Sequence, residues 1–282
     1  MDALVKTNPE NPEMQELDEP INPHPVYIIP KQSANVLFNF MKKLDYLKMI
    51  IHNKALIPRY NLEDISYLKL KDYKGIALPM KCFCDIHLNK LVYHMENYGN
   101  YGIGLHKEWG IQNGIQPINY VNPESNLIKD FVHVFNSALE LDDSDESIRF
   151  DKYNNFLLMN LLFMKPLNGY MLIDSDNKYM NFHDEREWRY IPDLRQFSEL
   201  PLILPQEHLN PDTMNMYSNG LTRTESSWLK LDFKHIKYLV VDSEADREDL
   251  ISFIMNENTT SELESLTLCS KILVFNQLKE DW

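Results

Sequence analysis

Glycine constrains this chain more than any other residue. It has only 8 glycines in 282 residues, and five of them fall between Gly99 and Gly114. Flexible phosphate-cradling loops need glycine, so such loops have few places to form. The clustered segment, Tyr98-Gly99-Asn100-Tyr101-Gly102-Ile103-Gly104, has no Gly-x-Gly-x-x-Gly spacing, and no Gly-Lys-Ser/Thr follows it. A dinucleotide fingerprint and a P-loop both fail on residues. Glycine inside a strand marks a bend or a close backbone approach. The interleaved tyrosines either belong to the core or line a pocket for a planar ring.

At this length the chain holds one large domain or two small ones, with enough residues to bury a core without disulfide or metal staples. Its formal net charge is −14, from 42 acids against 28 bases. That excludes a general basic surface for nucleic acid, although a nucleic acid could still be a local target. The first thirty residues carry six prolines, six acids and one lysine. Residues 1–32 therefore read as an extended or disordered acidic arm, because burial cannot offset their ordering entropy. Residues 33–282 read as a single α/β-type domain. Three cysteines, no charged-then-apolar leader and no long apolar span predict a cytoplasmic protein with no membrane segment.

Hydrophobic periodicity predicts an α+β fold, a mixed β-sheet core with flanking helices. Strands are expected at Val36–Phe40, at Ile76–Cys84 with an interruption at Pro79, at Tyr98–Leu105 and at Pro117–Val121. Two short strands are expected within Tyr179–Ile191. Helices are expected at Lys43–Asn53, Leu88–Asn97 and Leu127–Leu141. Another at Tyr153–Met164 is apolar enough to be buried on most sides. Arg59 and Tyr60 follow Pro58 in a predicted loop. Asp142–Glu146 reads as an acidic loop and 194–227 as irregular. A βαβ-like segment closes the chain: Ile236–Val241, a helix about Asp246–Met255, then Ile272–Phe275.

The sharpest chemical feature is His183-Asp184-Glu185-Arg186-Glu187-Trp188-Arg189-Tyr190-Ile191. Read as a strand, it puts Glu185, Glu187 and Arg189 on one face and Arg186, Trp188 and Tyr190 on the other. Neighbouring carboxylates repel and raise one pKa, which suits acid–base work, and Arg189 moderates the effect. The alternative is a solvated charged face with ordinary ion pairs. Cys82-x-Cys84 with His87, completed by a residue such as His94, offers a weak zinc pattern. Buried free cysteines account for it more simply, so no metal is expected.

Four segments carry a resemblance to a known family: VLFNFMKKLDYLKMIIHNKALIPRYNLEDIS, IALPMKCFCDIHL, HMENYGNYGIGLHKEWGIQNGIQPINYV and FHDEREWRYIP. They resemble the AbiGi family of bacterial abortive-infection proteins, which act in phage defence, and the resemblance makes 33–192 the family-matching core and 193–282 a C-terminal extension. Some family members carry an antitoxin label, which implies a protein partner: a toxin, an antitoxin or a phage component. A more distant similarity is to DarT-like ADP-ribosyltransferases, and it implies an ADP-ribosyltransferase-like fold with NAD as co-substrate. On that likeness Glu187 and Glu185 are the catalytic pair. One stabilises the oxocarbenium-like ribosyl cation and the other takes the acceptor's proton. Asn39, Arg59, Tyr60 and Tyr98 would bind the cofactor, with His94 and Arg189 as further candidates. Two positions depart from that pattern. Asn39 stands where those transferases carry histidine, and Met41 stands where a threonine would cap the helix. The departures leave open a non-catalytic antitoxin or regulator.

Overall fold

The structure, a computed structural model, describes residues 27–70, 73–140, 148–173, 176–204, 206–257 and 261–280. Most of the predicted arm and the predicted acidic loop Asp142–Glu146 lie outside the described residues. The chain opens with β1 (Val36–Met41), α1 (Leu44–Asn53), β2 (Ala55–Leu56), β3 (Arg59–Asp64) and β4 (Gly75–Cys84). Next come α2 (Val92–Tyr98), β5 (Tyr101–His106), α3 (Lys107–Gln112), β6 (Gln116–Pro117), β7 (Asn119–Val121), α4 (Asn126–Glu140) and α5 (Ile148–Leu162). Three strands follow, β8 (Met164–Pro166), β9 (Asn168–Ile173) and β10 (Asp176–Asn181), and a 3-10 turn (Phe182–Glu185) leads into β11 (Glu187–Tyr190). The chain continues with α6 (Pro211–Thr222), β12 (Leu229–Lys230), β13 (Ile236–Val241), α7 (Glu244–Asn256), α8 (Glu262–Cys269), β14 (Ile272–Val274) and α9 (Phe275–Glu280).

The result is the expected α+β fold on a mixed sheet. The order is β14-β13-β5-β1-β4-β11-β6, with β3 also paired to β4. β13 and β14 run parallel, joined by a crossover through α7 and α8, while the other neighbours in the sheet are antiparallel. A Ser243–Asp246 capping box starts α7. β13 pairs directly with β5, so the C-terminal βαβ unit extends the main sheet.

The apolar spacing of α1 buries Leu44, Leu47, Ile50 and Ile51. They pack with Leu37, Ile103, Leu105, Trp109, Leu239 and Leu250 on one face of the sheet. On the other face Val36, Phe38 and Cys84 meet Leu91 and Met95, with Val240 and Phe275 completing the cluster. A third cluster joins Leu78 and Met80 of β4 to Ile128, Leu161 and Leu162 of α4 and α5.

The structure corrects several expectations. β4 runs unbroken through Pro79, which faces Tyr60. The Tyr60 N–H points away to Ser218 Oγ, so this pair exchanges no backbone bond and the missing proline donor costs nothing. Arg59 and Tyr60 lie in β3, not in a loop. The 194–227 segment, predicted irregular, contains α6, started by Asn210 accepting from the Thr213 N–H and by Pro211 in the first turn. α5 is buried on one face only, with Leu157, Leu161 and Leu162 inside and Tyr153, Phe156 and Met159 exposed. Met41 is a buried strand residue, and the position before α1 is Lys43, whose side chain makes no capping bond.

One irregularity shapes the molecule. β1 pairs with β5 at six positions but with β4 at one, Phe38 opposite Cys84. β3 takes up pairing with β4 from Met80 onward. Between those points β1 and β4 part, and Cys82 O accepts instead from the Asn39 side chain, Nδ2 at 2.8 Å. The sheet splits there, and a cleft opens in the split.

Candidate functional site

The cleft has a volume of about 380 Å³. Asn39, Arg59, His94, Tyr98, Glu185 and Glu187 all line it. Six of the eight residues singled out from sequence therefore converge on one cavity. Tyr60 does not, because its hydroxyl donates to Pro201 O at 2.6 Å and its ring packs with Tyr217. Arg189 stands behind the wall, 1% exposed, and orients what lies in front of it.

The strand reading of Glu185 is corrected. Arg186 adopts φ +44 between the 3-10 turn and β11, so Glu185 precedes the strand. Glu187 and Arg189 do share a face of β11, and Trp188 and Tyr190, on the other, pack against the main core. Glu185 rejoins them through Lys165 of β8. The Lys165 ammonium donates to Glu185 Oε2 at 2.7 Å and to Glu187 Oε2 at 3.0 Å, and lies 4.4 Å from the Phe182 ring centre. Arg189 Nε donates to Glu187 Oε1 at 2.6 Å. Its two terminal nitrogens reach Leu162 O at 2.8 Å and Glu63 Oε2 at 2.7 Å. Tyr98 OH donates to Glu185 Oε1, and Tyr120 OH accepts the Glu187 N–H at 2.7 Å. Three carboxylates face two cations, which leaves the buried cluster one negative charge.

These contacts drive the two glutamates apart. Burial pushes the Glu187 carboxyl up, but Arg189 and Lys165 outweigh it and hold it down at about 2. Burial raises Glu185, and Lys165 only partly opposes that. Burial works against the Lys165 ammonium, yet Glu187, Glu63 and Glu185 keep its proton bound more tightly than usual. Burial, then Glu185, raises the Tyr98 hydroxyl. His94 stacks on Tyr98 at 4.4 Å between ring centres, and burial brings it down to about 4, so it is neutral at pH 7. A carboxylate that stays ionised beside one whose proton is held more tightly is an arrangement that divides electrostatic from acid–base work.

Asn39 Oδ1 is buried with no partner among the described residues, so the cleft offers an unsatisfied acceptor to an N–H or O–H of a ligand. On the far side of His94, Tyr98 and Glu185 lies a second cavity of about 460 Å³, which also reaches Lys90 and Arg186. Among the described residues no group of three or more His, Cys, Asp or Glu could hold a metal ion. Cys84 packs in an apolar cluster, and Cys82 contacts Glu187.

Sequence reasoning missed Glu63, Lys81, Cys82 as a lining residue, and Lys165. Lys81 did carry a signal, as a lone cation inside the apolar run IALPMKCFC. Lys165 carried none, since Phe-Met-Lys-Pro reads as an ordinary helix exit.

The profile of a family described as "Putative abortive phage resistance protein AbiGi, antitoxin" matches residues 53–242. The chain belongs to the AbiGi family. A relative from Lactococcus lactis subsp. cremoris, named "Abortive phage resistance protein AbiGi", is 37% identical over 251 residues, covering 81% of this chain and 100% of that protein. No solved structure matches. The matched segment of this AbiGi-family chain includes β3, β4, α2, β8, Glu185 and β11 with Glu187, and extends through β13, but it begins after β1 and so leaves Asn39 outside. Among the described residues no helix is long and apolar enough to cross a membrane.

Proposed function

We propose that this abortive phage resistance protein works through the cleft as an ADP-ribosyltransferase-like protein that binds NAD. The observation carrying this is the split between β1 and β4, on which Asn39, Arg59, Tyr98, Glu185 and Glu187 converge. The link from such a split sheet to NAD is an analogy of fold; the residues carry the chemistry. NAD supplies a ribosyl–nicotinamide bond whose breaking leaves positive charge on the ribose. Glu187, ionised throughout the neutral range, stabilises that charge. Glu185, raised by burial and facing both cavities, accepts the proton of an acceptor entering from the second one. Asn39 Oδ1 accepts a ligand N–H or O–H, and Arg189 keeps Glu187 ionised and aimed.

The test is incubation with labelled NAD and cell lysate, wild type against Glu187→Gln. Label transfer or NAD consumption by wild type and not by the variant is expected. Absence of consumption, transfer and NAD binding in both forms refutes the reading.

A second reading has its own support. The family description carries the word antitoxin, and Glu187 is already engaged by two cations. A non-catalytic antitoxin that binds and restrains a toxin fits both. In that case expression of the chain alone is harmless, and it copurifies with the product of a neighbouring toxin gene. Toxicity of the chain on its own refutes this second reading.

A further inference from the structure

Lys81 sits in the cleft wall with no assigned work. It lies in β4 opposite Tyr190, is half-buried, and lines the cavity in the split. Among the described residues its ammonium makes no hydrogen bond and no ion pair. Burial, partly opposed by Cys82 and reinforced by Arg59, a cation on the neighbouring strand, brings the Lys81 pKa down to about 8. The Arg59 guanidinium is itself held by a neutral group, Asn215 Oδ1 at 2.8 Å. The carboxylates that line the cleft, Glu63, Glu185 and Glu187, are each bound to Arg189 or Lys165 instead.

Lys81 is a half-buried ammonium that makes no direct ion pair among the described residues, which costs free energy, and the exposed Arg59 adds a second positive charge beside it. The cost is conspicuous in a chain with 42 acids against 28 bases, where a carboxylate partner is the easiest residue to supply. We propose that Lys81 and Arg59 form an anion site in the cleft that takes a phosphate or diphosphate group of a small ligand. Arg59 offers a planar fork and Lys81 a compact point charge, the pair of donors that suits phosphate oxygens. The site also orients the ligand. Its phosphates lie against β3 and β4, and its other end lies against Tyr98, Glu185 and Glu187. This inference rests on reading the cleft as a nucleotide site, and it deepens that reading by naming Lys81 as the residue that selects for phosphate.

The experiment is calorimetric titration of wild type, Lys81→Met and Lys81→Arg with inorganic pyrophosphate, ADP and nicotinamide riboside. Pyrophosphate and ADP should bind wild type and weaken about ten- to a hundredfold in Lys81→Met, the loss expected for one charged hydrogen bond. Lys81→Arg should retain affinity within a few-fold, and nicotinamide riboside, which lacks phosphate, should not discriminate. In parallel, ADP should protect the Lys81 amine of wild type from acylation, read by mass spectrometry, which needs no variant to fold. Failure of both phosphate probes to bind, equal affinity in a folded Lys81→Met, or no protection overturns the proposal. Lys81-dependent ADP binding without NAD turnover in any form refutes the transferase reading and leaves the anion site standing. NAD turnover with the same KM in wild type and Lys81→Met does the reverse.

Discussion

Replacing Arg189 with methionine tests the electrostatic logic of the site directly. Arg189 is 1% exposed and satisfies Glu187, Glu63 and Leu162 O together. Glu187 is held from its ordinary 4.5 down to about 2, which corresponds to about 3 kcal/mol of stability at neutral pH. Its folded-state value is the depressed one, so this contribution is complete above pH 4.5 and is lost as pH falls through about 2. Without Arg189, burial acts on Glu187 with only Lys165 opposing it, and Glu63 loses its cation. Removing one member of a buried ionic cluster costs about 3–5 kcal/mol. Glu187 then titrates higher than in wild type, and its protonation relieves part of the penalty. The difference in stability between wild type and Arg189→Met should therefore be largest at pH 7 and shrink towards pH 3. Urea unfolding followed by circular dichroism at pH 7, 5 and 3 measures it. Arg189→Met combined with Glu187→Gln should recover part of the loss. A difference below about 1 kcal/mol at pH 7, well under the buried-pair range, or one that does not change with pH, refutes the argument.

Two further perturbations discriminate within the fold. Gly99 has φ +111, and a Cβ there would lie 2.3 Å from Met41 O, whereas Gly114 has φ +74 and open space around it. Gly99→Ala should cost more than about 2 kcal/mol in urea unfolding and Gly114→Ala only about 1, and equal losses would contradict the close approach of β1 to the end of α2. Lys107 donates to Asp85 Oδ2 at 2.5 Å, to Ser33 Oγ at 3.0 Å and to Ala34 O at 3.1 Å, while Asp85 Oδ1 has no partner among the described residues. Lys107→Met should cost about 3–5 kcal/mol, and Asp85→Asn added to it should recover part; no recovery would place the loss in packing against Trp188 rather than in the stranded carboxylate.

What could be read in advance follows from the range of each signal. Period-two alternation gave the shared face of Glu187 and Arg189, and 3.6-residue spacing gave α1 and the βαβ ending, because both are local. Arg59 and Tyr60 were misjudged because Pro58 is a local stop signal, while β3 is held by a long-range partner, Gly75–Met80 of β4. Pro79 was misjudged for the same reason, since its tolerance depends on which way the Tyr60 N–H points. α6 was missed because its core contacts are few, Ser218 and Leu221 being the buried positions among polar neighbours. Lys165 stood no chance, because its role depends on a hairpin that brings β8 back beside the turn before β11.

The glycine cluster links these scales. Gly102 and Gly104 lie in β5 where β1 pairs with it, and a Cβ at either would come within 3 Å of the rings of Phe40 and Phe38. Those rings, stacked at 5.8 Å, lie across bare backbone and line the cleft. β1 is thereby drawn to β5 along its whole length and meets β4 at one position. The two glycines leave room on the sheet face for the Phe40 and Phe38 rings, while the gap in the sheet lies on the β4 side of β1. Placing alanine at Gly102 or Gly104 pushes Phe40 or Phe38 toward the cleft. The scarcity of glycine elsewhere and its concentration here thus bear on one outcome, a sheet closed on one edge of β1 and open on the other, where Asn39 faces Cys82 and the glutamates gather.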